Sequence, residues 1–142
     1  MIEPDHPSTR AESGPPGVLA LAAVLAAGRL AIGAGLMLAP ERALVTLGFE
    51  RPSEATVAAA RLAGVRDIVL GAVQVLAVND GDRLRRASLA CAAADAGDVA
   101  VFASALAAGD DSFRRAAVRG VGGAVAGTLA GLWVAWRLRP AS

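Results

Sequence analysis

Long apolar runs alternate with short polar breaks along this chain. Four runs stand out, at residues 18–39, 55–78, 84–108 and 116–138. Each meets the ~20 residues that an α-helix needs to cross the hydrocarbon of a bilayer. The breaks carry turn and cap chemistry. Pro40-Glu41-Arg42 stops the first run, and Ser53 offers an N-cap oxygen to the second. Asn79-Asp80-Gly81-Asp82 and Gly109-Asp110-Asp111-Ser112 read as turns. The apolar patch Ala43–Phe49, inside the 40–54 connector, predicts a short interfacial helix. Residues 1–17 are polar, with three acids against one Arg, and predict a disordered tail rather than the basic start of a signal peptide. The predicted fold is all-α: four antiparallel transmembrane helices in a bundle over residues 18–139, behind the tail.

A soluble helical bundle is the alternative. Its helices would show a polar stripe at every turn. Residues 18–28 and 120–136 contain no charge and a single Thr, so runs one and four are apolar all round. A chain of 142 residues has no interior large enough to hide two such helices. The lipid bilayer is therefore the expected partner, and a multi-pass cell (inner or plasma) membrane protein the expected localisation.

Composition agrees. Apolar residues make up 55% of the chain and mean hydropathy is +0.51. All 14 basic residues are Arg, the bias of high-GC bacterial coding. Net charge is +1, too little to give the field that nucleic-acid binding requires. The arginines cluster between runs instead, as interfacial anchors, and Trp133 and Trp136 precede Arg137 and Arg139 in the same role. Arg10, Arg83, Arg85, Arg86, Arg137 and Arg139 fall on one predicted side, against Arg42, Arg51, Arg114, Arg115 and Arg119 on the other. Six against five places both termini in the cytoplasm.

Several chemistries are excluded by absence. His6 is the only His and Cys91 the only Cys, so one chain can build neither a His-based triad nor a His/Cys zinc site, and no intrachain disulfide. There is no Lys for a Schiff base. These absences point away from an enzyme, and no cofactor is expected. Asp95-x-x-Asp98 offers two carboxylates to a metal, a weak donor set whose better partners are the arginines at similar depth.

The exception to the apolar pattern is the main functional clue. Arg29, Arg61, Arg66, Asp67, Asp95 and Asp98 lie inside the runs. Run two is the costly one. Arg61, Arg66 and Asp67 each oppose insertion by about 2.5–3.5 kcal/mol at a helix centre, while Val, Leu and Ile return only ~0.3–0.6 each. Partners on neighbouring helices must make up the difference. Helical spacing puts Ala60, Gly64, Asp67, Gly71, Gln74 and Val78 on one face of run two. It puts Ser88, Cys91, Asp95, Asp98 and Phe102 on one face of run three. Counting depth from the tight turn at 79–82, and for Arg29 from the 40–54 connector, predicts a mid-membrane cluster of Arg29, Arg66, Asp67 and Asp95, with Arg61 and Asp98 as a second pair one turn away. Two roles compete equally: ion pairs that fix helix register, or a polar cavity for an ion, a proton or a small polar ligand.

Gly123, Gly127 and Gly131 form two overlapping GxxxG steps in run four, and Ala27, Ala31 and Gly35 share that spacing in run one. Both are candidate close-packing ridges, within the bundle or in a homodimer.

Gly28-Arg29, the stretch Arg61-Leu-Ala-Gly-Val-Arg-Asp67 and Asp95-Ala-Gly-Asp98 together resemble small bacterial four-helix integral membrane proteins known only as domains of unknown function. That resemblance spans roughly residues 18–138 and implies a fold but no activity. A looser similarity to the DoxX-like membrane proteins implies an alternative role as a membrane redox or enzyme accessory subunit. Such a role predicts a lateral opening near Cys91 and Phe102.

Overall fold

The computed structural model describes residues 14–109 and 111–140, which form five helices and no strand. Helix α1 spans Pro16–Leu38. It begins two residues before the apolar run because a proline fits the first turn, where its missing N–H would have no partner anyway. Pro40 ends it by excluding the preceding residue from helical geometry, and Ala39 sits at φ −142°, ψ 59°. The expected tail lies outside the described residues up to residue 13.

The predicted interfacial helix is α2, Pro40–Leu47. It buries Pro40 and Leu44 and turns Val45 and Leu47 outward. Gly48 closes it at φ 110°, donating its N–H to Leu44 O at 3.1 Å. That left-handed geometry suits only glycine without strain. Helix α3, Glu54–Leu76, starts as expected at Ser53, whose hydroxyl accepts from the Thr56 N–H at 3.2 Å. Asp80 performs the same task for α4, Gly81–Ala107, accepting from the Arg83 N–H at 2.9 Å. Helix α5, Asp111–Arg137, starts at 111 and not at 116. Hydropathy marks the apolar stretch and misses a polar opening turn.

The four long helices run antiparallel. Along α1 and α3 the closest approaches step from Ala26/Gly71 to Gly33/Gly64, and along α4 and α5 from Ser88/Gly131 to Phe102/Gly120. The tight turn suggests α3 and α4 as close partners, yet α1 packs most closely on α3 and α4 on α5, while α3 meets α4 and α1 meets α5 over shorter stretches. Small residues decide this. A Cβ on Gly33 would lie 2.7 Å from Gly64 O, and one on Gly131 3.1 Å from Ser88 O. Only glycine lets these backbones touch.

Within the molecule, the ridge that α5 turns to α4 includes Gly127 and Gly131 but not Gly123. Gly123 is exposed, and a Cβ there would meet nothing. The line that packs on α4 runs through Ala117, Gly120, Ala124, Gly127, Gly131 and Val134, buried except for the half-buried Gly120 and Gly127, in alternating steps of three and four. Successive steps of four drift by about 40° each and leave the contact face. The same drift removes Ala27 and Ala31 from the α1 contact, where Ala22, Ala26 and Gly33 take their place.

Two apolar clusters close the ends of the molecule. Val18, Ala22, Ala77, Leu84, Ala87 and Val134 pack at one end, and Leu36, Leu44 and Ala60 at the other. Much of the remaining apolar surface faces outward. Three helices, Pro16–Leu38, Gly81–Ala107 and Phe113–Arg137, are long and apolar enough to cross a membrane, and only 22%, 17% and 17% of their apolar windows are buried inside the molecule. The fourth long helix, α3, stands apart because Arg61, Arg66 and Asp67 interrupt it, although Leu62, Val69 and Leu76 also point outward.

Candidate functional site

Between the two apolar ends lies a polar layer, where the α1–α3 pair meets the α4–α5 pair. Asp67, Gln74, Ser88 and Asp95 are its buried polar residues. Asp67 and Gln74 stand seven residues apart on α3, and Ser88 and Asp95 seven apart on α4. Seven residues are close to two helical turns, so each pair shares one face. Antiparallel packing then sets Gln74 against Ser88, with Gln74 Nε2 donating to Ser88 Oγ at 3.4 Å.

Arg29 is the centre of the layer. It rises from α1 and donates to three groups on two other helices. One terminal nitrogen reaches Asp67 Oδ1 on α3 at 3.4 Å. The other bonds Asp95 Oδ2 on α4 and the Cys91 carbonyl at 3.3 Å. The side chains of Arg29, Asp67 and Asp95 are only 12%, 12% and 10% exposed. Ion pairs this buried are strong by charge assistance, and breaking one partner leaves an uncompensated charge.

Gly127 makes room for Asp95. A Cβ at that position would lie 2.9 Å from the Asp95 carboxyl carbon. The α5 ridge therefore serves the charge layer as well as helix contact.

Arg66 forms the second half of the site. Its terminal nitrogens grip Asp98 in a two-pronged pair at 2.7 Å each, and one also reaches Asp67 Oδ1 at 3.2 Å. Asp67 thus accepts from both arginines and joins the two halves. The Arg66 and Asp98 side chains are 38% and 28% exposed, so this half opens sideways between α3 and α4. Arg66 Nε is buried and finds no acceptor, leaving one donor of the site unused.

The structure gathers Arg29, Arg66, Asp67, Asp95 and Asp98. Arg61 is not among them. It is exposed, and Asp98 pairs with Arg66 in its place. Depth along the axis favoured Arg61, but azimuth decides. Arg61 and Arg66 are about 140° apart around α3. Gly64 and Gly71 touch α1, Gln74 touches α4, and Arg66 lies on the α4 side of that line while Arg61 lies on the other. With Arg61 gone the sign balance changes: three carboxylates now share two guanidiniums.

Gln74 and Ser88, which helical spacing sets on the faces of Asp67 and Asp95, complete the layer. Cys91 is a free, buried thiol, its sulfur 3.8 Å from Gln74 Oε1. Phe102 covers Gly120 and stacks on Phe113 with centroids 6.2 Å apart, so α4 and α5 are closed at that level. The sideways opening lies on the other flank of α4, toward α3. Among the described residues no three of His, Cys, Asp and Glu gather as a metal donor set.

Comparison with protein-family models, curated proteins and solved structures finds no match.

Proposed function

We propose that the protein is an integral membrane protein of four antiparallel spans, α1, α3, α4 and α5, whose central charge layer binds and releases a proton. Three of the four helices support spanning by length and composition. The ion pairs supply what α3 lacks. Arg66 and Asp67 meet opposite charges on α1 and α4, which offsets the cost of their insertion. In this reading the two arginine-bearing ends sit at the two membrane surfaces, with both termini in the cytoplasm.

One observation carries the proton reading. Among the described residues Asp67, Asp95 and Asp98 pair with Arg29 and Arg66 alone. Fully ionised, the five groups sum to −1. An unbalanced charge in a low-dielectric layer is costly by several kcal/mol, and a proton shared among the three carboxylates restores neutrality. A metal cation would need a donor set that the arginines already occupy.

Infrared difference spectroscopy on the protein in lipid nanodiscs tests this. A carboxylic-acid C=O band that appears and disappears with pH, shifts in H₂O/D₂O exchange and is lost in Asp67→Asn supports the proposal. Carboxylates that stay ionised across the range in which the protein remains folded contradict it.

A further inference from the structure

We infer that the groove between α3 and α4, beside the Asn79–Asp82 turn, binds an anionic phospholipid. Here the two helices part, and Ala87 and Ala90 on α4 leave a cleft of about 440 Å³ against Val73 and Leu76 on α3. The walls are apolar, and the cleft opens to the outside of the molecule. Arg83 and Arg86 stand at its surface end.

The charges fit a phosphate. Arg86 is exposed and forms no ion pair among the described residues. Arg83 pairs through its Nε with Asp80 at 3.1 Å, and its side chain is 71% exposed. The first two turns of α4 and its cap hold Arg83, Arg85 and Arg86 against Asp80 and Asp82, a net of +1. A planar guanidinium pairs two-pronged with a phosphate and sits at the level where headgroups lie, its stem along the apolar wall. Below it, hydrocarbon fills an alanine-lined cleft that water would wet poorly. One molecule satisfies both halves: a chain in the cleft and a phosphodiester on the arginines. A zwitterionic lipid places a cation at the same height and competes with Arg83 and Arg86.

The site rests on the membrane reading above, and the test separates the two. The full chain, purified in detergent and delipidated, is titrated with phosphatidylglycerol or phosphatidylcholine of the same chain length, and bound lipid is counted by native mass spectrometry. Phosphatidylglycerol is expected to bind at least about fivefold more than phosphatidylcholine. Arg83→Gln with Arg86→Gln removes that preference, and Ala90→Leu, on an exposed cleft position, lowers binding of both lipids. Arg51→Gln with Arg114→Gln, at the opposite end of the molecule, leaves binding unchanged and shows that loss is not general. Equal binding of the two lipids, full binding by the Arg83/Arg86 double variant, or complete competition by glycerol phosphate without chains overturns the site. A protein that is folded and soluble in buffer without detergent overturns the membrane reading itself.

Discussion

Arg29 on α1 bonds Asp95 on α4, two helices that are not sequence neighbours and that belong to different closely packed pairs. The contact bridges the two halves of the molecule. Glycine contacts build each pair, and the pairs are joined by this charge bridge together with the apolar cluster of Val18, Ala22, Ala77, Leu84, Ala87 and Val134.

Removing the bridge is therefore costly. Arg29→Gln leaves Asp67 without one of its two cations and Asp95 without its only one. Breaking a buried pair on one side costs about 3–5 kcal/mol. Thermal unfolding in detergent should show a large loss, and Asp95→Asn a smaller one.

Arg61 and Arg66 separate function from position. Arg61 forms no ion pair among the described residues, and Arg61→Gln should alter stability by less than about 0.5 kcal/mol. Arg66→Gln strips Asp98 of its partner and weakens the hold on Asp67, costing about 1–3 kcal/mol because the pair is partly exposed. Equal effects of the two substitutions would show that α3 is rotated from the orientation described.

Glycines on one helix give an internal control. Gly127→Ala drives a methyl toward the Asp95 carboxyl and should destabilise by roughly 1–3 kcal/mol. Gly123→Ala meets open space, and alanine is the better helix former, so it should be neutral or stabilising by up to about 1 kcal/mol. Gly33→Ala and Gly35→Ala repeat the contrast on α1, where Gly33 faces Gly64 O and Gly35 faces nothing.

Gln74 and Ser88 are coupled by need. Ser88→Ala strands the Gln74 amide in a buried layer and should cost about 1–3 kcal/mol, whereas Gln74→Leu with Ser88→Ala replaces both partners and should cost less than the single change. Unfolding midpoints of the three proteins check the order.

Much of this arrangement was visible in the chain itself. The breaks at Pro40, Ser53 and Asp80 act through local chemistry, so their positions could be read directly. The charged faces of α3 and α4 followed from helical period, and Arg29, Arg66, Asp67 and Asp95 do meet. What counting could not supply was azimuth. Depth alone made Arg61 and Arg66 interchangeable, and only the rotation of α3 against both neighbours separates them. Pairing was hidden for a similar reason. A tight turn fixes which helices are linked, but Gly33, Gly64, Gly71 and Gly131 fix which ones touch. Repeated steps of four draw attention to Gly123 because its spacing is conspicuous; the true ridge mixes steps of three and four and looks ordinary in an Ala/Gly-rich helix.

The charge bridge between the two helix pairs is tested most directly by a double-mutant cycle on Arg29→Gln and Asp95→Asn, measured by reversible unfolding in mixed micelles. A direct buried bond predicts a coupling energy of at least about 1.5 kcal/mol, with the double variant more stable than the sum of the single losses implies. Effects that add to within about 0.5 kcal/mol would mean that the two side chains do not meet and that the halves are held together in some other way.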